Sequence, residues 1–112
     1  MPVNVSQIVE GTQIPNANTT IYTAAAKTTV QITKVVVANP TGSPATYTLW
    51  MVPSGGSAGN ANNVTPPQSV AAGAAYADPN APGLVLNAGD FLVADASAAT
   101  TLTISVSGVI FS

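Results

Sequence analysis

Apolar and hydroxyl-bearing residues alternate along much of this chain, and Gly or Pro cuts the alternation at short intervals. A period of two sends successive side chains to opposite faces of an extended backbone, so each segment reads as a half-buried β-strand. Thr and Val, which carry the alternation, favour strands. The strong helix formers Leu, Glu, Lys, Arg and Gln are scarce. The many alanines do not reverse this reading. They fall in short runs such as Ala24-Ala25-Ala26 and Ala71-Ala72, beside Thr or Gly, and read as turns or close-packing positions.

Strands are predicted at 29–39, 45–52, 91–96 and 100–111, with shorter ones at 3–9, 19–24, 68–72, 75–77 and 84–86. Between the first two of these, Asn39-Pro40-Thr41-Gly42-Ser43-Pro44 reads as a turn, because Pro fixes φ and Gly accepts positive φ. That makes 29–39 and 45–52 a predicted hairpin. Ala88-Gly89-Asp90 turns the chain into 91–96, with Asp90 capping the turn. Short strands at this spacing point to an all-β, single-domain β-sandwich or jelly roll of about eight strands over residues 1–112. A domain of this length buries roughly 65% of the surface its unfolded chain exposes, enough for one core without covalent staples. The N-terminal segment 1–18 is expected to be mobile. Residues 53–69 lack a periodic pattern and are expected to form a long irregular loop, either a surface loop or a projecting arm that orders on a partner. In the latter case Val64 is its only large apolar anchor.

Three strands have a second face that does not look solvated. In 45–52 one face carries Ala45, Tyr47, Leu49 and Met51 and reads as core. The other carries Thr46, Thr48, Trp50 and Val52. Trp50 therefore points outward as an interface anchor, unless a bulge returns it to the core. In the last strand Leu102, Ile104, Val106 and Ile110 share the core face. The hydroxyl face opposite ends in Val109 and Phe111, to be covered by a loop of the same chain or by a second subunit. In 29–39, simple alternation puts Lys34 on the face of Val30, Ile32, Val36 and Ala38. A bulge near Thr33 instead turns Val35 and Val37 inward.

Charge is nearly absent. Lys27 and Lys34 are the only cations and Glu10, Asp78, Asp90 and Asp95 the only anions, 5% of the chain against about 25% in ordinary domains. A surface of Thr, Ser, Asn and Gln repels its copies weakly and costs little to desolvate, which suits a subunit packed in an assembly, a homo-oligomer included. Two lysines cannot grip a phosphate backbone, so no nucleic-acid partner is expected. No basic amphipathic helix or long apolar span points to a membrane. The first residues show neither a basic start nor an apolar stretch, so no secretory signal is expected.

The residues for chemistry are also missing. The chain has no His and no Cys, which removes the usual base of a nucleophilic triad, thiolate chemistry and disulfides. A Ser-Lys pair has no motif to support it. Asp90 and Asp95 stand roughly 16 Å apart along one strand, too far for paired-carboxylate hydrolysis. No Asp-rich calcium loop occurs, and Gly55-Gly56-Ser57-Ala58-Gly59 lacks the Gly-Lys-Ser/Thr that completes a phosphate loop. Asn4, Asn18 and Asn63 begin glycosylation sequons that a chain rich in Asn and Thr acquires by chance. The expectation is a non-enzyme with no cofactor and no metal.

The order of Thr-Val-Gln-Ile-Thr-Lys-Val-Val-Val-Ala-Asn-Pro-Thr-Gly (29–42), Ala-Thr-Tyr-Thr-Leu-Trp-Met-Val-Pro-Ser-Gly-Gly-Ser-Ala-Gly (45–59), Leu-Asn-Ala-Gly-Asp-Phe-Leu (86–92) and Thr-Leu-Thr-Ile-Ser-Val-Ser-Gly-Val (101–109) resembles small β-sandwich virion proteins of tailed bacteriophages. The resemblance spans roughly 19–112. It lies in the style of strands and turns, and Trp50 and Pro66-Pro67 depart from it. It implies a capsid cement or decoration protein located in the virion after synthesis in the host cytoplasm. The implied partners are the major capsid protein or other virion proteins. A neck or tail component fits the same class. A carbohydrate- or receptor-binding sandwich is the alternative, with Trp50, Tyr22 and Tyr76 as its outward aromatics.

Overall fold

The computed structural model describes residues 3–98 and 101–111, with side chains from residue 7 onward in those ranges. Nine strands follow one another: β1 (Val3–Gln13), β2 (Thr19–Thr23), β3 (Thr29–Ala38), β4 (Ala45–Val52), β5 (Asn63–Val70), β6 (Ala75–Ala77), β7 (Val85–Leu86), β8 (Phe91–Ala96) and β9 (Thr103–Phe111). All pair antiparallel, in two sheets. Sheet A runs β1-β9-β3, and β6 and β7 share the far side of β3. Sheet B runs β2-β8-β4-β5. The fold is the expected all-β sandwich. Met1, Pro2, Ala99, Thr100 and Ser112 lie outside the described residues, among them the expected start of the last strand.

The core is the set of inward faces. Val30, Ile32, Val35, Val37, Ile104 and Val106 of sheet A oppose Ala45, Tyr47, Leu49, Leu92, Ala94 and Ala96 of sheet B. The bulge option in β3 is the one realised. The β3–β9 register slips between Ile32 and Lys34, so Val35 and Val37 turn inward while Thr33 and Lys34 are both exposed. β9 can press closely on β3 because it carries Gly108. A Cβ there would lie 2.8 Å from the carbonyl oxygen of Gln31.

β3 and β4 do not form the predicted hairpin, because each lies in a different sheet. Each has one strongly apolar face, and placing them in separate sheets lets those faces meet across the core. The intervening segment is a corner organised by Asn39, which is 1% exposed. Its Nδ2 donates to the carbonyls of Ser43 (2.8 Å) and Val70 (3.1 Å), and its Oδ1 accepts from Thr41 N (3.1 Å) and Thr41 Oγ1 (2.7 Å). One side chain thus closes the corner and ties it to the end of β5.

The expected irregular loop at 53–69 is shorter. Its second half is β5, paired with β4 from Ala45↔Val70 to Trp50↔Asn63. Pro66 and Pro67 hid this strand from pattern reading. Both are tolerated because β5 is an edge strand, and the register slips between Tyr47 and Leu49, where they sit opposite. Only 53–62 remains irregular, and it contains a single 3-10 turn, Asn60–Asn62, in which Gly59 N donates to Asn62 Oδ1 at 3.0 Å. Within the segment 1–18, β1 pairs with β9 from Val3↔Phe111 to Gln13↔Thr103.

Candidate interaction surfaces

Asp78 sits just past β6, is 2% exposed and collects three donors. The Tyr47 hydroxyl and the Thr65 hydroxyl each donate to its Oδ2 at 2.6 Å, and Asn80 N donates to its Oδ1 at 2.8 Å. Its own N–H donates to the carbonyl of Val35 on β3 at 2.9 Å. The group therefore bridges the sheets, joining β4 and β5 of sheet B to the β6–β7 margin of sheet A. Burial, and then the bond to Asp78, push the Tyr47 phenol well above its usual range. Sequence reading missed this cluster, because Tyr47, Thr65 and Asp78 are widely spaced and no short motif links them. Every partner is a neutral donor, and together they lock the two sheets to each other.

Asp90 does cap its turn. Its Oδ2 accepts from Asn87 N and its Oδ1 from Ser54 N, both at 3.0 Å, fastening the Pro53–Gly56 turn to the start of β8. Among the described residues no three carboxylates gather as a metal site would require, and no ligand-sized pocket opens.

The notable surfaces are the outer faces of the two sheets. On sheet B, Trp50 pairs with Val93 and Val52 with Phe91. Val52 and Val93 are 0% and 4% exposed yet stand apart from the core cluster. They are buried on the outside. Val52 lies beneath the Pro53–Gly56 turn, where a Cβ on Gly56 would be 3.3 Å from it. Val93 lies beside the half-buried Trp50. Trp50 therefore points outward, one of the two options its strand left open. Thr48 and Asp95 pair in the next outward row.

On sheet A the outer face carries Val109, opposite Gln31, and Phe111, opposite Thr29. Both are half-buried and neither packs against the core. Val85 pairs with Gln31 on its other side and is 44% exposed, the most exposed large apolar residue described. Sequence reading missed Val85 because β7 is too short to show a period. Val64 belongs to neither surface. It occupies a register slip in β5, between Thr65 opposite Leu49 and Asn63 opposite Trp50, and packs against the core. Had 53–69 been a projecting arm, Val64 would have anchored it; the part that holds Val64 is a strand. Tyr22 and Tyr76, expected to face outward, also pack against the core.

The sheet edges are guarded. β5 carries the two prolines, β6 and β7 are short pieces separated along β3, and β2 has five residues. β1 is longer, but its register slips at Gln7/Val9 and Val9/Thr12, and Gly11 takes φ +39°.

No protein-family model matches the chain, and no curated protein does. Among solved structures it is similar to a chain in the structure of infectious bursal disease virus Gx strain. The TM-score is 0.50 at 17% identity, over 97% of this chain and 32% of that one. The likeness is one of fold, and this chain spans about a third of the length of the other.

Proposed function

We propose that the chain is a non-catalytic structural subunit of a virus particle, of the cement or decoration type, held in place by protein–protein contacts. The observation that carries the reading is the pair of outward apolar patches, Trp50 with Phe91 and Val109 with Phe111 and Val85, on a domain with only 5% charged residues. Such faces are costly to leave in water and cheap to cover. Guarded edges favour contact through faces over strand addition. The fold likeness to a chain of a virus structure supports the same reading.

The partner is then the major capsid protein or another virion protein, and the location is the virion. A neck or tail position belongs to the same class and is separated by copy number, which is high on a head and low on a neck. The sugar-binding alternative loses support, since two of its three aromatics pack inward.

The test is reconstitution. Particles lacking the chain should bind purified protein in fixed stoichiometry and then resist heat-induced opening. Trp50→Asp should fold but bind poorly. Particles that are complete without the chain and do not bind it would overturn the proposal.

A further inference from the structure

The two outer faces match each other in a way that neither shows alone. Short links define a common end of the sandwich. The chain crosses from Thr23, opposite Phe91 on sheet B, to Thr29, opposite Phe111 on sheet A, through residues 24–28. It crosses back from Leu86, opposite Val30, to Phe91 through 87–90. Ala24 N donates to Asp90 O at 2.9 Å and Gly89 N to Ala24 O at 3.0 Å, binding the two links together.

Counted inward from that end, the outward rows of sheet B are Phe91 beside the covered Val52, then Trp50 beside the covered Val93, then Asp95 beside Thr48. Sheet A presents Phe111, then Val109 with Gln31, then Lys34 opposite Ser107. Both faces thus run from an aromatic end row through a second large apolar or aromatic residue to a charged row. The step from the aromatic row to the charged row is four strand residues on each (Phe91 to Asp95, and Phe111 to Ser107), or about 13 Å. The charges are opposite in sign. No hydrogen bond or ion pair engages the side chain of Lys34 or of Asp95 among the described residues.

We infer that the chain associates with further copies of itself face to back, the outer face of sheet A of one copy on the outer face of sheet B of the next. Copies stacked with their common ends together lay Phe111, Val109 and Val85 on Phe91 and Trp50, and bring Lys34 to Asp95. An A-on-A or B-on-B pairing would instead oppose like charges when the rows align. Because the two contacting patches differ, the contact is heterologous and repeats, closing into a ring or growing into an array rather than stopping at a dimer. With 45 and 27 Å as its larger dimensions, the molecule has a broad face that exceeds the roughly 800 Å² per partner of a standard interface.

This rests on the reading of the chain as an assembly subunit and names one of its partners. The test is sedimentation of the full chain across a concentration series, with Lys34→Asp, Asp95→Lys and the double variant, each checked for folding by circular dichroism. Both sites are on the surface, so the variants should fold. The wild type should form species beyond a dimer. Each single variant should associate about tenfold more weakly. The double variant should recover, and so should an equimolar mixture of the two singles, in which every A face meets a complementary B face. A wild type that stays monomeric or stops at a dimer overturns the inference. So does a double variant or mixture no better than the singles. Particle binding is measured on the same samples. Its retention without self-association sinks this inference alone, and its loss with self-association intact sinks the virion reading alone.

Discussion

The Asp78 interlock makes a quantitative prediction that depends on geometry. Asp78 Oδ2 receives two hydroxyl donors, from Tyr47 and Thr65, while Oδ1 receives the Asn80 N–H. The three side chains are 1–3% exposed, so water has little access to replace a lost donor. Tyr47→Phe and Thr65→Val each remove one hydroxyl with little change of shape. Each leaves Oδ2 with one donor and should cost about 1–3 kcal/mol. The double variant strips Oδ2 of both donors, and a buried oxygen with none carries a desolvation cost that neither single variant meets. The double loss should therefore exceed the sum of the single losses by about 1 kcal/mol or more. Urea unfolding at neutral pH, followed by Trp50 fluorescence and far-UV circular dichroism, measures all four corners of the cycle. Additive losses, or a double loss smaller than the sum, would refute the view that both hydroxyls serve one dry oxygen.

Gly108→Ala should cost about 1–3 kcal/mol in urea unfolding, because the added methyl must push β9 off the Gln31 carbonyl, 2.8 Å away. Above about pH 10 stability should fall by up to about 1.4 kcal/mol per pH unit for Tyr47, since the native state holds the raised phenol's proton after the unfolded chain has lost its own. Tyr22, raised by burial, adds to that slope, and in Tyr47→Phe the slope should shrink. Finally, Val64→Asp should unfold the protein at lower urea than Trp50→Asp, although Trp is the larger side chain, because Val64 packs against the core and Trp50 points outward.

Period two located β3, β4 and β8 to within a residue, since each has a face whose every inward position is apolar or Ala. It failed where edge chemistry replaces alternation. In β5, Pro66 and Pro67 read as loop residues, and two register slips put Val64 and Thr65 both toward the core. Pairing partners were less legible than strands. Asn39-Pro40-Thr41-Gly42 looks the same locally in a hairpin and in a corner between sheets. What decides is the reach of Asn39 to Val70, a contact 31 residues away. Trp50, Val109 and Phe111 were visible as residues on the wrong face for a core. Their alignment with Asp95 and Lys34 was not, because it depends on which strands neighbour one another and on the slip at Thr33 that turns Lys34 out.

The scarcity of charge then bears on assembly as well as chemistry. Sheet proteins commonly guard their edges with charged side chains, lysine above all. This chain has two lysines, one in the turn at 25–28 and one on the outer face of β3, so neither guards an edge. Its edges are blunted by covalent geometry instead: two prolines in β5, slips and a positive-φ glycine in β1, and a gap between β6 and β7. Those devices block open-ended strand pairing without adding charge to the surface. The outer faces carry hydroxyls, amides and a few apolar side chains, with Lys34 on sheet A, Asp95 on sheet B and Glu10 exposed on β1 as their charges. In a molecule with so few charges, one cation on one face and one anion on the other can set orientation and register, because few other charges compete with them.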